Sequence, residues 1–250
     1  MIFITGDTHG DWKERFDNLT FPEQKELTKD DYVIIAGDFG IWNDSPYENY
    51  WFDWLEKKSF TTLFVDGNHE NFDLLDKIPV CRWNGGFVHF IRPSVIHLMR
   101  GQVFTIEGLK FFTFGGASSH DVRDGILEPD DILFREKLEI LNSNPFSLFR
   151  INHYSWWERE LPSDQEMEEG INNLKIVNNK VDYIITHSPY SSILPFIINR
   201  GCQTDRLTDY LQGIKDSVSY KQWYFGHMHV NMHFDFDKST CLFKKIEKIL

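Results

Sequence analysis

Cysteine is scarce in this chain. Cys81, Cys202 and Cys241 are far apart, odd in number and without a C-x-x-C pair. That usage excludes a disulfide scaffold or a zinc finger as the organising framework, and it sets a reducing compartment, the cytoplasm, as the expectation. No apolar run approaches the ~18 residues that a membrane-spanning helix needs, so no membrane partner is expected. A basic leader with an apolar core is absent before Met1-Ile2-Phe3-Ile4-Thr5, which reads directly as a strand and not as a signal peptide. Positive charge is also in deficit. With 26 Lys and Arg against 38 Asp and Glu, the formal net charge is −12. This argues against strong non-specific binding to nucleic acid or anionic membranes. Nucleotide substrates stay open, because bound divalent ions reverse the field locally. Internal repeats and low-complexity linkers are missing too, and the 250 residues read as one domain, 1–250.

What is plentiful is aromatic side chain: 22 Phe, 9 Tyr and 8 Trp give material for a large core or a greasy cleft. Short apolar runs recur at 2–5, 32–36, 61–65, 181–186 and 222–225, each stopped by turn residues. Runs of this length, rich in Ile, Val, Phe and Tyr, read as strands buried on both faces of a sheet. Helices are expected at 47–58, 71–77, 165–178 and 205–215, and Ser163 with Glu166 forms the capping box of the third. In the middle, 95–99, 102–107 and 109–114 are separated only by Arg100-Gly101 and Gly108, which predicts an antiparallel meander. Segments 231–237 and 241–246 read as a closing hairpin across Lys238-Ser239-Thr240, and the basic residues after it as a solvated strand end. Residues 118–162 are polar and read as an insertion over the site.

The chemistry gathers where the apolar runs stop. Asp7-Thr8-His9 and His227-Met228-His229 each place two metal-competent side chains at i and i+2. In an extended strand such residues project from the same face and can grip one ion together. Gly37-Asp38, Gly67-Asn68-His69 and Thr186-His187 carry the same residue types at three further run ends. If Asp7, His9, Asp38, Asn68, His187, His227 and His229 converge, Asp38 is placed to bridge two ions. Mixed nitrogen and oxygen donors suit first-row ions (Mn²⁺, Fe, Zn²⁺ or Ni²⁺) better than Mg²⁺ or Ca²⁺. Two divalent ions facing two carboxylates leave a net positive site, suited to a phosphate anion.

Taken in order, D-x-H (Asp7, His9), G-D (Gly37, Asp38), G-N-H-E (Gly67 to Glu70), a strand-terminal His187 and G-H-x-H (Gly226 to His229) resemble the calcineurin-like metallophosphoesterases, in particular bacterial and phage members. The blocks span residues 7–229. The resemblance implies a four-layer α-β-β-α sandwich of two mixed sheets flanked by helices. It implies one ion on Asp7, His9, Asp38 and His229 and another on Asp38, Asn68, His187 and His227, with Mn²⁺ favoured. It implies hydrolysis of phosphate mono- or diesters by a hydroxide between the two ions, with His69 assisting the leaving oxygen. The implied substrate is a phosphorylated small molecule or nucleotide.

Many relatives continue the second block as G-D-x-x-D-R, where the acid orients the catalytic His and the Arg grips phosphate. Here Gly37-Asp38-Phe39-Gly40-Ile41-Trp42 supplies neither. Asp44 is the candidate for the acid and Arg123 for the clamp. His120, Trp156 and Trp157 are candidates for the substrate mouth, the two tryptophans reading first as anchors of the insertion to the core. The alternatives are a non-catalytic metal-binding or interaction module, which would be expected to lose a ligand or His69, and a nuclease, which needs a local basic track.

Overall fold

The computed structural model describes residues 1–198 and 203–250, and Cys202 lies outside the described residues. The apolar runs form strands for a simple reason: both of their faces are buried. In strand Ile2–Thr5 the pleat sends Ile2 and Ile4 one way and Phe3 the other, and all three are inaccessible. Phe3, Val33, Ile35 and Phe64 pack outward against Trp12, Phe16, Phe52 and Leu55. Ile2, Ile4, Ile34 and Leu63 pack inward against Phe104, Phe111, Ile185 and Tyr224. On the far side, Phe112, Ile184, Trp223 and Phe225 meet Leu174, Leu207, Leu211 and Ile214 of the helices Asp164–Ile176 and Arg206–Ser217. Three apolar layers thus separate four layers of structure, an α-β-β-α sandwich.

The first sheet has seven strands in the order Ile246–Lys248, Ile2–Thr5, Tyr32–Ile35, Thr61–Phe64, Val95–Leu98, Gly86–Arg92 and Val80–Trp83. The second has six: Met232–Phe234, Ser239–Cys241, Gln222–Phe225, Tyr183–Thr186, Leu109–Phe114 and Gln102–Ile106. The central strands run parallel, with Thr5 level with Ile35 and Ile35 with Phe64. In the second sheet Thr186 is level with both Phe114 and Phe225. Six strands therefore end along one rim, where open α/β sheets place ligands. The Ser163–Glu166 capping box is present. No helix among the described residues is long and apolar enough to cross a membrane.

The meander expected over 95–114 does not form as such. Val95–Leu98 belongs to the first sheet, parallel to Thr61–Phe64, whereas Gln102–Ile106 and Leu109–Phe114 form a hairpin in the second. The chain changes sheets at Arg100-Gly101, a short link that also fits a hairpin turn. The closing hairpin forms with its second strand shifted: Met232–Phe234 pairs with Ser239–Cys241, so Ser239 and Thr240 lie in the strand and not in the turn, and the chain then returns to the first sheet at Ile246–Lys248. Segment 118–162 adds a two-stranded pairing of Ile126–Leu127 with Arg150–Ile151 and the helix Phe134–Ser143.

That change of sheet is pinned by a buried ion pair. Arg100 Nε and Nη2 donate to Asp66 Oδ2 at 2.8 and 2.5 Å, and His97 Nε2 lies 3.1 Å from Asp66 Oδ1. Arg100 Nη2 also donates to the carbonyl of Arg159 (2.8 Å), and the Asp66 carbonyl accepts from Gly116 (2.9 Å), joining three segments beside the rim. Burial alone would raise the Asp66 pKa, but Arg100 and His97 hold it well below the ordinary carboxylate range. Asp66→Asn takes the hydrogen-bonded counter-charge from buried Arg100, leaving only Glu166 at 3.8 Å from Nη1, and is expected to cost about 3–5 kcal/mol, read from the urea midpoint at neutral pH. Because the folded value is depressed, the wild-type contribution is intact above the ordinary Asp value of 3.8 and falls away as the pH drops below it.

Candidate metal centre

The loops leaving the rim are sharply bent. His9, Asp38, His227 and His229 have φ of 46°, 46°, 64° and 51°, in the left-handed region. Both D-x-H and H-x-H therefore lie just beyond their strands, and their i, i+2 convergence comes from these turns and not from a strand pleat. Such backbone is uncommon for residues other than glycine and persists where surrounding contacts hold it. Here the amides of Thr8 and His9 both donate to the Asp38 carbonyl (3.1 and 2.7 Å), and Gly226 donates to the His187 carbonyl (3.1 Å).

Asp7, His9, Asp38 and His229 each offer a ligand atom within 4.8 Å of the others. His9 Nε2 is 3.0 Å from His229 Nε2, and His229 Nε2 is 3.1 Å from Asp7 Oδ2. Ligands about 2.1 Å from one ion sit roughly 3.0–3.4 Å apart, so these separations match a shared ion. Asp7 Oδ2 is buried without a well-formed hydrogen bond, an oxygen that a cation would satisfy. Asp38 reaches both ways, with Oδ2 3.7 Å from His9 Nδ1 and Oδ1 3.4 Å from His187 Nε2. His187 Nε2 lies 3.3 Å from Asn68 Oδ1, and the rings of His187 and His227 are 5.0 Å apart. The structure thus brings together all seven residues proposed as ligands, and the donor set fits divalent transition metals.

Partners behind these side chains aim them. His187 Nδ1–H donates to the Ala36 carbonyl (2.8 Å), which turns Nε2 into the site. Asn68 Nδ2 donates to Ser119 Oγ (3.1 Å), and Ser119 is itself held by the buried Glu160, which leaves the amide oxygen facing inward. Glu70, fully buried, accepts backbone N–H bonds from Phe39, Gly40, Ile41 and Gly67, locking the Asp38 loop to the Asn68 loop. Arg15, also buried, donates to the carbonyls of Gly6 (3.1 Å), Asp7 (2.8 Å) and Phe243 (2.8 Å). Glu160 and Arg15 carry no signal in the sequence, whereas Glu70 closes the G-N-H-E block and Ser119 lies in the glycine-led segment 115–121 beside His120.

The electrostatics follow the packing. Burial pushes the Glu70 carboxyl up to about 7, with Asp38 adding to the rise. His187 would be depressed by burial, yet Asp38 beside it raises it to about 10. His227, next to His187 and fully enclosed, is held well below the ordinary imidazole value by burial first. Asp38 itself stays far below the carboxylate range because His187, His69 and His9 surround it, although burial opposes this.

Not every candidate reaches the cluster. Asp44 is exposed and accepts from Asn49 Nδ2 (2.7 Å), with no contact to His69. Arg123 is exposed and paired with Asp124 (3.0 Å). His120 does arrive, its Nε2 2.9 Å from His227 Nε2. Trp157 is buried in the outer core and donates to Asp73 Oδ2 (2.8 Å), and Trp156 is half-buried. The His69 amide donates to Asp38 Oδ1 (2.9 Å), its carbonyl accepts from Trp42 Nε1 (3.0 Å), and its ring lies 5.4 Å from that of His9. Among the described residues a cavity of 170 Å³ reaches Asp7 and His9 beside Glu14 and Arg15, and two larger ones flank the cluster. One of 250 Å³ is lined by His9, Trp42, His69, Arg150, Tyr154, Ser155 and Trp157. The other, of 340 Å³, includes Ser118, His120, Ser188, Thr208, His227 and Met228.

A family model for the calcineurin-like phosphoesterases matches residues 1–231. The chain belongs to this family. Among curated members similar to it, lariat debranching enzyme A of Xenopus laevis is 25% identical over 143 residues, covering 51% of the chain and 26% of that protein. The lariat debranching enzyme of Schizosaccharomyces pombe is 23% identical over 249 residues, covering 91% and 48%. The chain thus spans less than half the length of these relatives. A solved structure described as a candidate 5′-nucleotidase from Staphylococcus aureus aligns with a TM-score of 0.45 and 14% identity, over 96% of this chain and 47% of that one.

The tightness of this phosphoesterase centre can be tested from behind. A Cβ on Gly67 would stand 2.0 Å from Asp38 Oδ1, and one on Gly37 would stand 2.0 Å from His187 Nδ1. Gly67→Ala has no positive-φ penalty, so its effect isolates space. It is expected to displace Asp38 and weaken Mn²⁺ binding at least about tenfold by calorimetry, while an alanine at the open Gly108 position leaves binding unchanged.

Proposed function

We propose that this domain is a metal-dependent phosphodiesterase using two divalent ions. One ion is assigned to Asp7, His9, Asp38 and His229, the other to Asp38, Asn68, His187 and His227. The observation that carries the reading is that Asp7, His9, Asp38 and His229 offer ligand atoms within 4.8 Å of one another, and that His187 and Asn68 continue the cluster from the other oxygen of Asp38, with His227 beside His187. When bound, such a pair supplies Lewis acidity towards a phosphoryl oxygen and lowers the pKa of water, with Mn²⁺ the favoured ion.

The chain's own residues do the rest. Asp38 and Asp7 hold negative charge at the base, and His187 and Asn68 are pre-aimed by Ala36 and Ser119. His69, fixed at its backbone by Asp38 and Trp42, presents its ring to the 250 Å³ cavity and is assigned to protonate the leaving oxygen. Cavities on two sides of the centre support a diester, since each ester oxygen then has a place for its substituent. The lariat debranching relatives point the same way, towards a nucleotide-like diester. The net charge of −12 favours a short substrate over a long polyanion. A cytoplasmic setting, one domain over 1–250 and an insertion at 118–162 forming part of the mouth complete the reading.

Chelation is expected to abolish hydrolysis of bis-p-nitrophenyl phosphate, and Mn²⁺ to restore it, with p-nitrophenyl phosphate the poorer substrate by kcat/KM. His69→Ala should lower kcat by about 10²-fold or more with metal content unchanged. No turnover of either ester by the Mn²⁺-loaded protein sinks the proposal, and an unaltered kcat in His69→Ala sinks that residue's role.

A further inference from the structure

The acid and arginine missing after Asp38 leave the phosphoryl group without a protein cation beside His69, and segment 118–162 places one there. Arg150 lines the same 250 Å³ cavity as His9 and His69. The guanidinium is fixed along one edge: Nε donates to Asp121 Oδ1 at 2.9 Å and Nη2 to Asp121 Oδ2. Among the described residues, Nη1 makes no hydrogen bond. With 23% of its side chain exposed, Arg150 keeps one donor edge open to the cavity while its orientation is already set. Trp42, tethered to the His69 carbonyl, and Tyr154 add aromatic wall beside it.

We propose that Arg150 grips a non-bridging phosphoryl oxygen of the substrate, that Asp121 is the positioning residue for its fork, and that Trp42 and Tyr154 receive an aromatic, nucleoside-like leaving group. This rests on the phosphodiesterase reading. An ion pair that merely anchored the segment would have no use for a free guanidinium edge on a cavity shared with His69. A guanidinium suits the role because its planar donors match phosphate oxygens, whereas an ammonium offers a point charge only.

The test uses the full chain loaded with Mn²⁺ and compares Arg150→Ala, Arg150→Lys and Asp121→Asn with Arg123→Ala. Inorganic phosphate binding, followed by calorimetry, is the primary readout and needs no turnover, so it separates the failure of the clamp from the failure of the hydrolase reading. Phosphate affinity is expected to fall at least about tenfold in Arg150→Ala, less in Arg150→Lys, and not at all in Arg123→Ala. With bis-p-nitrophenyl phosphate, kcat/KM should fall in the same order, and millimolar guanidinium should partly restore Arg150→Ala, which a purely structural loss would not allow. Phosphate affinity within twofold of wild type in Arg150→Ala overturns the proposal. So does a loss that coincides with lost Mn²⁺ and lowered Tm and is not rescued by guanidinium.

Discussion

Asp7 and Asp38 sit almost completely buried, with ligand oxygens no more than 4.8 Å apart, and like charges so placed repel strongly unless cations lie between or around them. Much of the surrounding architecture answers that constraint. Parallel strands deliver five loops to one rim at the same level, so donors far apart in sequence arrive together. Imidazoles crowd Asp38, and a buried guanidinium, Arg15, backs the Asp7 carbonyl. Burial here does not stabilise the fold by itself. It creates a low-dielectric pocket in which ion binding and folding become coupled.

The outer shell is as exacting as the donors. Glu70 shows how: one carboxylate collects four backbone N–H groups from two loops, and so fixes where Asp38 and Asn68 stand relative to each other. Ser119 and Glu160 do the same for the Asn68 amide, reaching across from the second sheet. The second sheet therefore contributes aim as well as ligands, through the loop that follows Leu109–Phe114. That loop is a sixth strand end, and it also carries His120 and Asp121 to the mouth.

How much of this was legible depended on whether the physics was local. Strands covered on both faces write themselves as continuous apolar runs, and the five central ones were read within two residues of their ends. Metal-competent side chains beside glycine at those ends gave the donor set. The edge hairpin Val80–Trp83 with Gly86–Arg92 went unseen because its exposed positions break the run: Val80 is 54% exposed and Phe87 36%. Val95–Leu98 was assigned to the wrong sheet because a two-residue link is consistent with either a hairpin turn or a change of sheet, and Asp66, which settles it by pairing with Arg100, is 34 residues away. Asp44 draws attention by its nearness in sequence to Asp38, and nothing local in the sequence separates Arg123 from Arg150. Which of these reaches the His69 cavity is decided by how segment 118–162 folds back.

The return of Ile246–Lys248 to the flank of Ile2–Thr5 has a consequence for the order of assembly. Strand Ile2–Thr5 acquires its full set of neighbours only when a segment more than two hundred residues later is in place, since its outer edge pairs with Ile246–Lys248 and bonds to Phe243 and Leu250. Until then the segment bearing Asp7 and His9 carries an open row of amides, and a nascent chain must keep that row from pairing elsewhere. Contacts of such long span make this edge of the sheet slow to close.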